Sequence, residues 1–195
     1  SISVPNVARL SQHPNIVGIK EASGNMSYAA KVAKYLSDDF AMYSGNDDMI
    51  VPLLSIGASG VISVLANIAP KETHQMVFDY LEGRTDDARR AQIELLDVIN
   101  DLFIEVNPVP VKEAMNLLGM DVGGYRLPLT HMTQAHRETL RSSLAAAGFL
   151  KEGTLRYENR SHRYGPHGPH DPRLRRRPRH RSCGRIQYGN DRSAR

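Results

Sequence analysis

Three strand-length runs separated by helix-length segments set what this chain can fold into. They are Ile16-Val17-Gly18-Ile19-Lys20, Ala41-Met42-Tyr43-Ser44 and Val61-Ile62-Ser63-Val64, each followed by small or polar residues. Short runs bounded by turn formers read as strands, and the stretches between them carry apolar residues at helical spacing. Strand and helix alternating at this cadence predict βαβ units, in which a helical crossover brings each strand back parallel to the last.

The first run is unusual in where it stops. Lys20 ends it and Glu21-Ala22-Ser23-Gly24-Asn25 turns the chain, which places an ammonium at the C-terminal end of a parallel strand, where α/β proteins gather their functional groups. Alternation puts Ile16, Gly18 and Lys20 on one face and Val17 and Ile19 on the other. A lysine facing a barrel interior among apolar walls loses solvation, which favours its free amine and makes it a nucleophile towards carbonyls. The residues alone leave a plainer alternative open, a strand-end lysine that snorkels to solvent.

The rest of the first 150 residues reads as helix and turn. Helices are predicted from Tyr28 to Leu36 with Ser27 as N-cap, from Asp47 or Asp48 to Ile56, and from Pro70 to Leu81 with Gly83 as the stop. A long helix from Thr85 to about Phe103 follows, then Val109 to Leu118 and Thr130 to Ala147, the last ended by Gly148. Asn107-Pro108-Val109-Pro110 reads as the entry to a helix, since proline sets φ and removes a donor.

Charge divides the chain. The formal balance is +4, but the residues beyond Leu150 hold thirteen Lys and Arg against four Asp and Glu, leaving twelve against seventeen before it. The basic character therefore belongs to the tail, and an acidic body argues against nucleic acid as a partner. Four of the eight histidines and four of the eleven prolines also lie in 151–195, a composition that cannot offset the entropy of ordering its backbone. This tail is expected to be disordered and foreign to the fold. The single cysteine, Cys183, excludes an internal disulfide. No run of eighteen apolar residues and no basic-then-apolar leader is present, so the expectation is a cytoplasmic protein with no membrane partner. His131 and His136 lie five apart, off the i, i+4 spacing of a helical ligand pair, so no metal site is expected there.

Four segments in register carry a resemblance. Gly18-Ile19-Lys20-Glu21-Ala22-Ser23-Gly24-Asn25, Tyr43-Ser44-Gly45-Asn46-Asp47-Asp48, Gly60-Val61-Ile62-Ser63-Val64 and Asn107-Pro108-Val109-Pro110-Val111-Lys112 resemble the dihydrodipicolinate synthase family of Schiff-base pyruvate lyases, over about residues 1–150. Related lyases, such as N-acetylneuraminate lyase, usually depart from the Lys-Glu-Ala-Ser-Gly continuation. The resemblance implies an α/β fold: the last three strands of a (β/α)8 TIM barrel, then a helical C-terminal domain. The expected divisions are 1–83 for the partial barrel, 84–150 for the helical domain and 151–195 for the tail. The first five strands, and the tyrosine and threonine that relay protons in the family, would lie outside this chain.

What the resemblance implies for chemistry is specific. Lys20 would form an imine with pyruvate, and the derived enamine would condense with L-aspartate 4-semialdehyde, with no metal or redox cofactor. Gly45 and Ile62 would contact the bound keto acid, although the residues alone read Gly45 equally well as a turn glycine and Ile62 as core. The resemblance also implies a homotetramer for the full-length form. The competing expectation is a non-catalytic fragment whose basic tail binds nucleic acid.

Overall fold

The computed structural model describes residues 1–150, and the expectations for the basic tail fall outside them. Its elements run α1 (Val4–Leu10), β1 (Gly18–Glu21), α2 (Met26–Ala33), β2 (Ala41–Ser44), α3 (Ile50–Leu54), β3 (Gly60–Val61) and α4 (Pro70–Leu81). Four further helices follow: α5 (Thr85–Glu94), α6 (Leu96–Asp101), α7 (Val109–Leu117) and α8 (Gln134–Ala146). The strands form one sheet in the order β1-β2-β3. Both pairings are parallel, with Lys20 opposite Tyr43 and Tyr43 opposite Gly60.

Period-2 alternation decides which face of the sheet is buried. Met42 and Ser44 are fully buried on one face, where the helices pack and where Phe40, Ile50, Leu53 and Leu65 join them in the core. The other face holds Lys20 and Tyr43, both exposed, the tyrosine to 38%. Gly18 is required here by close approach: a Cβ at this position would stand 2.7 Å from the Ala41 carbonyl oxygen of the neighbouring strand.

Helix starts follow local chemistry. Asn25 caps α2 by accepting from Tyr28 N at 3.0 Å, so the cap lies two residues before the expected Ser27. The helix then turns Ala29 and Val32 into the core. α4 starts on Pro70, which has no N–H to lose at that position, and buries Thr73, Met76 and Val77 at i, i+3 and i+4. Thr133 caps α8, which buries Leu140 and Leu144.

Several expected elements differ from those observed: α2 ends at Ala33 rather than Leu36, α3 spans Ile50–Leu54 rather than reaching Ile56, and α8 starts at Gln134 rather than Thr130, and two others change more. The third strand is only Gly60–Val61, because the backbone donors of Val64 and Leu65 go to the Asp47 carboxylate, each at 2.9 Å, rather than to a neighbouring strand. The single helix expected over 85–103 is two, divided at Leu95, whose φ of −91° and ψ of −2° end α5 and precede α6. No helix among the described residues is long and apolar enough to cross a membrane.

Candidate functional site at the strand ends

The C-terminal ends of the three strands lie side by side, and each is fastened by a buried polar side chain on the helix-facing side. Glu21, 2% exposed, ends β1 and accepts from Ser23 N with both carboxylate oxygens, at 3.0 and 3.2 Å. Ser44, opposite Glu21 in the register, donates to the Asn46 carbonyl at 2.7 Å and accepts from Asn46 N at 3.3 Å. Asp47, 1% exposed, receives the Val64 and Leu65 amides that follow β3. Gln92 on α5 accepts from Val51 N and donates to the Asp47 carbonyl, holding the turn after β2 from behind. Each bond satisfies a backbone group that would otherwise be orphaned where a strand ends. The turns above the sheet are thereby held from below.

Above that support sit the residues singled out from the sequence. Lys20 and Gly45 are brought together: a Cβ at Gly45 would stand 2.8 Å from Lys20 Cε, 2.6 Å from Ala22 Cβ and 3.0 Å from the Glu21 carbonyl oxygen. Gly45 N donates to that same carbonyl at 2.6 Å. Glycine is needed at this position for contact rather than for a positive φ. Ile62 lies just past β3, its N–H donating to Ser44 O at 2.8 Å, and its side chain is 48% exposed. The reading of Ile62 as core from its apolar run is therefore corrected: it follows the strand onto the open face. Lys20 is likewise exposed rather than enclosed by apolar walls, because three strands and their helices cover only the opposite face.

A cavity of about 290 Å³ opens beside Lys20 and is lined by Ile2, Ile19, Glu21, Ser23 and Tyr28, among others. That is at the small end of the roughly 300–1,000 Å³ typical of small-molecule sites. Tyr28 closes one side by donating to the Ile2 carbonyl at 2.6 Å. Burial raises its pKa above the ordinary phenol value, and the nearby Glu21 charge adds to the effect, so Tyr28 stays a neutral donor. Glu21, Ser44 and Asp47 were not selected from the sequence as site residues. The signal was available for Glu21: two positions after Ile19, it had to fall on the face opposite Lys20, where a carboxylate would be buried.

The two histidines near α8 serve structure. His131 packs edge-on against Tyr125 with ring centroids 5.1 Å apart, and His136 Nδ1 lies 2.8 Å from Glu105 Oε1.

Comparison with known proteins assigns this arrangement to a lineage. The sequence profile described as "Dihydrodipicolinate synthetase family" matches residues 1–147. The chain belongs to that family. The 4-hydroxy-tetrahydrodipicolinate synthase of Caldicellulosiruptor saccharolyticus is 56% identical over 144 residues, covering 73% of this chain and 48% of that protein. Among solved structures, the dihydrodipicolinate synthase of Aquifex aeolicus superposes with a TM-score of 0.73 at 39% identity, over 76% of this chain and 51% of that one. The chloride-inhibited Acinetobacter baumannii dihydrodipicolinate synthase, crystallised with pyruvate, gives 0.72 at 38% identity, over 76% and 51%. This dihydrodipicolinate synthetase family chain thus spans about half the length of the curated relatives it matches. Its three parallel strands and their helices correspond to about half of the family's barrel chains.

Proposed function

We propose that this chain carries the Schiff-base lysine of an enzyme that condenses pyruvate with L-aspartate 4-semialdehyde to 4-hydroxy-tetrahydrodipicolinate, in the cytoplasmic route to diaminopimelate and lysine. In this reading β1, β2 and β3 are the sixth to eighth strands of the barrel, residues 1–83 and 84–150 are its barrel and helical parts, and the working assembly is a homotetramer. The observation that carries the reading is the Lys20 side chain, lying against Gly45 at adjacent strand ends and itself lining an open cavity, in a chain whose relatives are synthases.

The chemistry follows from an amine placed at that point. Lys20 Nζ adds to the pyruvate ketone, and loss of water leaves an imine that acidifies the methyl group. Removal of a methyl proton gives the enamine, whose carbon attacks the aldehyde of the second substrate to form the new C–C bond. The amine of that substrate then adds to the imine carbon, closing the ring and expelling Lys20 as the free amine. Gly45 and Ile62, which do not line the cavity, would border the keto acid from the open face, Gly45 by leaving room for the Lys20 side chain. Proton transfers at each step need partners within hydrogen-bond reach, and these would come from outside the present chain.

The test is borohydride reduction with pyruvate, followed by peptide mass mapping. It is made on the full chain preceded by the first half of the C. saccharolyticus relative. A pyruvate-derived mass on Lys20, abolished by Lys20→Arg, is the expected result, because a guanidinium stays protonated and forms no imine. Label on Lys31, Lys34 or no lysine overturns the reading.

A further inference from the structure

We infer that Glu21 is a positioning residue for Lys20, acting through the turn that its carboxylate holds; the inference rests on the reading of Lys20 as the imine-forming residue. Glu21 is the next residue after the lysine, yet its side chain goes to the opposite face and is 2% exposed. There both oxygens accept from a single amide, Ser23 N. The contact begins a relay: Ser23 Oγ accepts from Asn25 N at 3.1 Å, and Asn25 Oδ1 accepts from Tyr28 N at 3.0 Å in the first turn of α2. Each bond spans two or three residues, so the segment from Lys20 to α2 has little freedom to move.

The backbone of the same residue works on the other side. Its carbonyl accepts from Gly45 N at 2.6 Å, and Gly45 is the residue against which Lys20 Cε rests. Glu21 therefore fixes both the strand end that carries the lysine and the surface along which the lysine side chain lies. A buried carboxylate is an expensive way to close a turn, and the ion pairs found among the described residues do not include Glu21. Its length explains the choice: the carboxylate reaches round the strand end to Ser23 N from a face that the helices cover, while Lys20 stays on the open face. Placement matters because a misplacement of about 1 Å at a reacting group can lower a rate ~100-fold.

Two variants separate placement from charge. Glu21→Met keeps a side chain of similar length but accepts nothing from Ser23 N. Glu21→Gln removes the charge and keeps an accepting oxygen. Both are made in the full chain preceded by the first half of the C. saccharolyticus relative. The rate of borohydride-trappable imine formation is measured at saturating pyruvate across pH, with thermal melting as the check on folding. Glu21→Met is expected to fold cooperatively, melting a few degrees below the parent at most, about the cost of one hydrogen bond, and to form the imine about 10- to 100-fold more slowly. Glu21→Gln is expected to stay within about threefold of the parent, the scale of one modest hydrogen bond. The pH midpoint of trapping is unchanged in both. A Glu21→Met protein as fast as the parent overturns the inference, as does a Glu21→Gln protein as slow as Glu21→Met or with a shifted midpoint. A parent that traps no pyruvate overturns the reading of Lys20 as well; a parent that traps it while Glu21→Met is unaffected overturns this inference alone.

Discussion

Gly45 and the Lys20 side chain share one space: a Cβ on Gly45 would stand 2.8 Å from Lys20 Cε. The same Cβ would meet Ala22 Cβ at 2.6 Å, and a backbone-anchored atom yields less than the end of a lysine. Gly45→Ala is therefore expected to destabilise the fold by about 1–3 kcal/mol, the usual range for overpacking. It should also displace Lys20 and slow pyruvate trapping. Urea denaturation and borohydride trapping of the same variant check the two effects together.

Asp47 offers a test of how the loop after β3 is held. Its Oδ2 receives two backbone amides, Val64 N and Leu65 N, while 1% of the residue is exposed. Asp47→Ala leaves both donors without their acceptor. A loss of about 1–3 kcal/mol per buried unsatisfied group predicts a clear fall in the urea midpoint. Asp47→Asn, which keeps one accepting oxygen, should fall less. Equal midpoints for Asp47→Ala and the parent would contradict the assignment.

The clasp between the end of α6 and the start of α8 should make stability depend on acid. Glu105 Oε1 accepts from Thr133 N at 2.9 Å and Thr133 Oγ1 at 3.0 Å, and lies 2.8 Å from His136 Nδ1. The Thr133 amide is the largest influence and holds the carboxyl below its ordinary 4.5; burial opposes the shift, and the His136 and Thr133 side chains add to it. A carboxyl depressed in the folded state contributes stability above its unfolded pKa and loses it as pH falls through the folded value. Glu105→Gln should thus be less stable than the parent at pH 7, with the gap closing as pH falls below about 4.3. Denaturation midpoints across that range check the sign.

The open face of the sheet predicts behaviour of the 195-residue chain by itself. On that face Ile62 is 48% exposed and Tyr43 38%, and among the described residues both β1 and β3 present an unpaired edge. Exposed apolar surface next to free strand edges favours association. The chain alone should bind a hydrophobic dye, self-associate on sedimentation and show no turnover of pyruvate with aspartate semialdehyde. Supplying the first half of the C. saccharolyticus relative in trans should suppress the dye signal. A monodisperse, dye-negative chain would refute the expectation.

Local chemistry and periodicity determined much of this protein before any coordinates. The first two strands, the Pro70 start and the Gly83 and Gly148 stops were legible because each depends on residues a few positions apart, although β1 runs one residue past Lys20 to Glu21. The meeting of Lys20 with Gly45 was not, since βαβ alternation makes strands parallel without fixing which are neighbours, and the β1-β2-β3 order settled it. What the tertiary structure decided is where backbone groups and side chains found distant partners. β3 stops after Val61 because Asp47, seventeen residues back from Val64, takes the amides that would have continued it. Ile62 is exposed although its run reads as core, because burial depends on which face the helices cover and not on the apolar character of one residue. Glu21 is buried for the same reason, and its hold on Ser23 N becomes a support for Lys20 only once β2 places Gly45 against both. Such relationships join segments far apart in the chain, and periodicity, a property of neighbours, cannot encode them.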